Sequence, residues 1–154
     1  MQLTVRAYKE PVRKRVLASI ERITKGIALA AGIPENRAPI VKFSESQVTS
    51  ATYNDPQLTE RLAASFVKSL GQENVVKLDP VMMSEDFGYF SLEQKIPTSQ
   101  FTLGAVDPVK VKQSQDAGTA LPSLHSALFQ PLPEPTLRTG IKAMTAAVLD
   151  LMKK

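Results

Sequence analysis

His125 is the only histidine in the 154 residues, and it stands in Leu121-Pro122-Ser123-Leu124-His125-Ser126, just ahead of the last amphipathic stretch of the chain. A neutral imidazole is the commonest protein ligand for transition metals, and a proline with flanking serines suits an ordered loop that presents one. One imidazole does not make a metal site, because structural zinc takes four protein ligands and catalytic zinc about three. The chain has no cysteine, so thiolate ligands, thiolate nucleophiles and disulfides are excluded. Partners for His125 must therefore be carboxylates or come from another piece of chain, and a lone histidine before a helix is, taken alone, more often a surface or packing residue. The acidic pair Glu85-Asp86 follows Ser84. It suits the capped first turn of a helix, where the dipole stabilises negative charge with no function required.

Composition narrows the partners. With 43% hydrophobic and 22% charged residues the chain is that of a soluble globular protein. No apolar run approaches the roughly 20 residues of a membrane span, and Arg6, Lys9 and Glu10 break up any leader-like start, so no membrane association is expected. The chain carries 19 Lys and Arg against 15 Asp and Glu, and the excess lies within residues 1 to 52. Much of it, Arg13, Lys14, Arg15, Arg22 and Lys25, falls on one predicted helix. No aromatic residues interleave with it and no helix-turn-helix follows, so it reads as a solvated face and nucleic acid is not expected as a partner. The compartment stays undetermined.

Several elements must position these residues. Leu3 to Tyr8 alternates apolar and polar and predicts a short strand. Pro11 then opens a helix marked by Val12, Val16, Ile20, Ile23 and Ile27 and stopped by Gly32 and Pro34. Period two returns from Pro39 through Val41 and Phe43 and continues over Ser44 to Gln47 toward Tyr53, predicting a second strand. Asn54-Asp55-Pro56 opens another helix, with Leu58, Leu62, Phe66 and Leu70 on one stripe and Gly71 at its end. Val75 to Leu78 and Phe101 to Gly104 read as strands, Ser84 as a helix cap, and Ala105 to Leu121 as a long polar surface loop delivering His125. Pro133 and Pro135 precede a final stripe of Leu137, Ile141, Met144, Val148 and Leu151, with Lys153 and Lys154 set against the helix dipole. The expected fold class is α/β: a strand-helix-strand module over residues 1–52, then a second segment over 53–154.

Three groups of residues occur in order: Val5-Arg6 before a long helix, Tyr53-Asn54-Asp55-Pro56 opening the next, and Ser84-Glu85-Asp86-Phe87 followed by Leu124-His125-Ser126. With Glu134-Pro135-Thr136-Leu137-Arg138-Thr139-Gly140 at the last helix, this set resembles the metal-dependent amidohydrolases and peptidases of the aminoacylase and carboxypeptidase type. The closest likeness is to the hippurate hydrolase and N-acyl-amino-acid amidohydrolase branch, and it covers nearly the whole chain. The resemblance implies that residues 1–52 are the second half of an inserted lid, or dimerisation, domain. Residues 53–154 are then the closing segment of an α/β zinc-peptidase-like catalytic domain, and the chain is the C-terminal portion of a longer enzyme.

The same resemblance implies the chemistry. Two divalent cations, zinc first and manganese, cobalt or nickel as alternatives, share a water that attacks the amide of an N-acyl amino acid or small peptide. His125 is one metal ligand, Glu85 and Asp86 lie at most behind the ligands, and no catalytic acid or base is assigned to this chain. Arg6 and Asn54 match positions near the acyl-amino-acid end of the substrate, where a guanidinium fork suits a carboxylate. Arg6 reads equally as a solvent-facing strand residue, and Asn54 as a turn residue before a helix. Met83 departs from the family pattern, which has glycine before Ser-Glu-Asp-Phe, and this questions the local backbone shape. The chain alone is expected to be inactive and to form a homo-oligomer through the lid half. The competing reading is a non-catalytic assembly module derived from the same family.

Overall fold

The computed structural model describes residues 1–44, 48–83, 85–92 and 94–153. Four α-helices organise them: α1 (Glu10–Ala30), α2 (Pro56–Leu70), α3 (Pro108–Ala117) and α4 (Pro133–Leu151). Each has proline in its first turn, where the missing N–H would be unpaired in any case. The chain forms two compact units, Met1–Asn54 with Leu78–Thr98, and Asp55–Lys77 with Ser99–Lys154.

In the second unit α2 packs directly on α4. Asp55 caps α2 by accepting the Leu58 N–H at 2.9 Å, and Gly71 at φ 93° ends it in a conformation that disfavours any side chain. Leu62 and Phe66 of α2 meet Ala143 and Ala147 of α4 in a core flanked by Leu58, Leu70, Val75 and Phe101. Phe66 and Phe101 stack tilted with centroids 4.8 Å apart. Burial of Leu62 and Phe66 stabilises this contact by about 1.5–3 kcal/mol each.

The face α4 presents to its partner is small. Ala143 is 1% exposed, whereas Leu137, Ile141 and Met144 of the expected stripe are 64%, 67% and 55% exposed. The same inversion occurs on α1, where Ala28 is buried and Val12, Ile23 and Ile27 are exposed.

In the first unit, a short 3-10 helix, Asp86–Ser91, is fastened to the stretch before α2. Tyr89 donates its hydroxyl proton to the Val48 carbonyl at 2.6 Å, and a Cβ on Gly88 would lie 2.8 Å from the Ser50 carbonyl oxygen. Glycine at 88 is thus required by close approach of two backbones. Among the described residues the positive-φ positions outside glycine are Leu92 and Gln94, so the backbone at Met83 does not require glycine.

The expected α/β class is not what forms. Among the described residues there is no β-strand, and the regular structure is entirely helical. Residues 3–8, 39–43, 75–78 and 101–104 are irregular. Their alternating pattern sets which side chains share a face, but a strand exists only through a ladder of N–H to C=O bonds with a neighbour. Here the nearby backbone groups make single contacts instead: Leu132 N–H donates to the Ala105 carbonyl at 2.7 Å, and the Thr98 hydroxyl to the Tyr53 carbonyl at 3.1 Å. Residues 45–47 of the second expected strand lie outside the described residues.

A further correction concerns the presumed loop from 105 to 121, most of which is helix α3. Asp107 caps it by accepting the Val109 N–H at 2.8 Å, and Gly118 closes it in the left-handed region. Lys154, expected near the dipole of α4, is outside the described residues, and Lys153 lies beyond the helix's last residue, Leu151.

Candidate functional site

His125 sits on a tight turn. Ser126 N–H donates to the Ser123 carbonyl at 2.9 Å and Phe129 N–H to the Ser126 carbonyl at 3.0 Å, while the Ser126 hydroxyl oxygen accepts the Leu128 N–H at 3.1 Å. The backbone on both sides of the histidine is therefore held, and its residue is exposed. Among the described residues no group of three or more His, Asp or Glu side chains is placed to share a metal ion. The donors gathered here do not build a complete metal site, since one imidazole supplies a single ligand of the three or four required.

The segment carrying His125 also borders a shallow, open surface depression. Leu121 and Pro122 line it together with Val106, Leu128 and Phe129, and Lys110 of α3 and Gln130 supply its polar groups. The Lys110 ammonium donates to the Gln130 side-chain carbonyl at 3.3 Å. Lys110 was not singled out from sequence because α3 lacks an apolar stripe. The Asp107-Pro108 pair, the same opening as Asp55-Pro56, is the signal that could have found the helix.

In the first unit, two other sequence candidates come together. Arg6 and Glu85 line one cleft of about 120 Å³ with Tyr8, Thr52, Met82 and Met83. The Glu85 carboxylate accepts the Phe87 N–H at 3.0 Å and the Thr52 hydroxyl at 3.1 Å. It is the cap of the short helix Asp86–Ser91, whereas Ser84, expected to be the cap, lies outside the described residues. Asp86 is exposed in the first turn of that helix. Arg13, also lining the cleft, forks onto Glu10 through Nε at 2.7 Å and Nη2 at 2.6 Å. This hydrogen bond holds the Glu10 carboxyl below its usual range and raises the Arg13 guanidinium. Part of the basic face of α1 is thereby neutralised within the helix, as is Lys25 by Glu21 at 2.8 Å. Asn54 immediately precedes the cap of α2. His125 belongs to one compact unit, and Arg6, Asn54, Glu85 and Asp86 to the other.

No helix among the described residues is long and apolar enough to cross a membrane. No family model matches the chain, and no solved structure matches it. Curated proteins do match it, among them two deacetylases. An N-acetyldiaminopimelate deacetylase of Lactobacillus acidophilus is 33% identical over 99 residues, 64% of this chain and 22% of that protein. An N-acetyldiaminopimelate deacetylase of Shouchella clausii is 32% identical over 105 residues, 68% of this chain and 27% of that protein. The chain thus spans about a quarter of the length of the curated relatives it matches. Their names describe removal of an acetyl group from an amine, and the similarity supports a relationship between this chain and the amidohydrolases, without selecting a branch among them.

Proposed function

We propose that this chain is the C-terminal portion of a metal-dependent amidohydrolase that cleaves the amide of N-acyl amino acids or small peptides, with His125 as one metal ligand. The observation that carries the reading is the similarity of about two thirds of the chain to two deacetylases. The hydrogen-bonded turn that holds an exposed His125 is consistent with it. Bound divalent ions would supply polarisation of the amide and an activated water. Arg6, with its planar fork of donors, would serve the carboxylate of the substrate, and Asn54 would lie near it. Glu85 already satisfies a backbone N–H and a hydroxyl, a role that explains it without chemistry.

The 154-residue chain supplied with zinc, manganese, cobalt or nickel is expected to show no turnover of N-acyl amino acids, because one imidazole cannot hold a two-metal centre. In the longer enzyme His125→Ala should lower both metal content and activity by a large factor. Turnover by the 154 residues alone, or full metal content in that variant, would contradict the assignment.

A second reading, an assembly module, is favoured by one observation: the large apolar side chains on the outer faces of α1 and α4 are exposed. In that reading the occupant of the α1 face is a second copy of the chain, and sedimentation of the purified protein tests it.

A further inference from the structure

We infer that residues 101–105 and the outer stripe of α4 form one docking surface for an extended strand with alternating apolar residues, supplied by the part of the longer enzyme outside this chain. Residues 97–105 contain neither turn nor bend. Phe101 packs inward on Phe66, and the Leu103 side chain lies on Gly140 of α4, where a Cβ would come within 2.9 Å of Leu103 Cδ1. Thr102 and Gly104 are exposed. Every second side chain thus faces the layer of α2 and α4, the period of extended chain. Both ends of the segment are fastened: Ser99 and Thr59 share a hydroxyl hydrogen bond of 3.0 Å, and the Ala105 carbonyl accepts the Leu132 N–H. Among the described residues no main-chain N–H or C=O of Phe101, Thr102 or Leu103 has a main-chain partner. An edge held in this way needs little further ordering to exchange hydrogen bonds with a second strand.

The stripe on α4 sets the side chains that such a strand must carry. Leu137 and Met144 stand three residues before and four after Gly140, so they adjoin the spot that Leu103 covers. With Ile141, Val148 and Leu151 they make an exposed apolar row that no charged residue interrupts. A strand laid about 4.8 Å beside residues 101–105 on the α4 side directs every second side chain onto that row, and burial there without a polar partner selects apolar ones. Main-chain bonds then give affinity and the row gives specificity, as in strand addition to a preformed edge. The chain by itself forms no such pair, and its regular structure among the described residues is helical. It spans about a quarter of the length of the curated relatives it matches, so a longer enzyme of that size has ample chain to supply the strand. The identity of the donor therefore rests on the proposed function, whereas the surface itself does not.

Residue-resolved amide hydrogen exchange of the purified 154-residue chain and of the longer enzyme tests this. In the chain alone Phe101, Thr102, Leu103 and Gly104 should exchange within about tenfold of unprotected amides. In the longer enzyme at least two of them, two positions apart, should slow by about 100-fold or more, because alternate residues of a paired edge donate to the same neighbour. Leu137→Lys with Ile141→Lys should abolish that slowing in the longer enzyme and leave the helicity of the 154-residue chain unchanged, since both residues are exposed there. If the double variant of the longer enzyme does not fold, the comparison of the two unaltered proteins decides alone. Fast exchange at all four positions in the longer enzyme overturns the inference. So does slow exchange in the 154-residue chain at micromolar concentration, which makes a second copy the occupant. Hydrolysis of N-acyl amino acids is a separate readout: slowed exchange without hydrolysis keeps the surface and discards the amidohydrolase reading, and hydrolysis with fast exchange does the reverse.

Discussion

Arg61 makes two bonds at the end of α4: Nε donates to the Asp150 carboxylate at 2.6 Å and Nη2 to the Asp150 main-chain carbonyl at 2.5 Å. Both accepting groups sit in the last turn of a helix, where negative charge opposes the dipole and where the Asp150 carbonyl also accepts the Lys153 N–H at 3.4 Å. One guanidinium from α2 answers both. The Asp150 carboxyl is held below its usual range, first by the Arg61 hydrogen bond and then by the charges of Arg61, Lys153 and Lys68. A carboxyl depressed in the folded state contributes stability that is present above its unfolded pKa and is lost as pH falls through the folded value. Arg61→Met should therefore raise the Asp150 pKa toward its ordinary value and remove this part of the acid sensitivity below the normal carboxylate range. Carboxyl-carbon NMR titration of both proteins checks it, and an unmoved Asp150 would mean that the pair does not persist in solution.

At the scale of the element, helices α1, α2 and α4 were legible because their proline openings, the Asp55 cap of α2 and the glycines that follow α1 and α2 are local signals. Which face each helix buries was legible only for α2, whose Leu62 and Phe66 are both in the core. On α4 the period-3.6 reading selected the bulkiest residues, whereas the contact with α2 is made through Ala143 and Ala147. Shape complementarity against Leu62 and Phe66 favours small partners, and a sequence pattern ranks residues by hydropathy, not by fit. The prediction is counter to hydropathy. Ala143→Leu, which adds three carbons at a position 1% exposed, should destabilise the chain by about 1–3 kcal/mol, while Leu137→Gln should stay within about 0.5 kcal/mol. Urea melts of the two variants measure this. The reverse ranking would place the larger face of α4 in the core. The site was legible in the same partial way: proline and serine marked the His125 turn, but nothing in the pattern of α3 pointed to Lys110, because its place depends on a helix with no apolar stripe.

At the scale of the whole molecule, the expectation of a sheet failed where a local signal had to stand for a distant partner. Residues 3–8 and 101–104 have the alternation of strands, and pairing is a property of two segments, which one segment cannot encode. What the chain does leave uncovered is helix surface. On α1, Val12, Val16, Ile23 and Ile27 are exposed along a helix of 21 residues, roughly 30 Å long. Soluble monomers rarely leave so extended an apolar face in water. Ion pairs of both signs border it, Glu10 with Arg13 and Glu21 with Lys25, so a two-fold contact between copies can set acid against base without a net charge clash. The purified chain is accordingly expected to sediment as a dimer or larger assembly at micromolar concentration. Ile23→Lys with Ile27→Lys should shift it toward monomer with helicity retained, and the same changes at Leu137 and Ile141 on α4 should leave the assembly in place. A cooperatively melting monomer of the unaltered chain would remove α1 as a self-association surface, and dissociation by the α4 pair alone would move the contact to that helix.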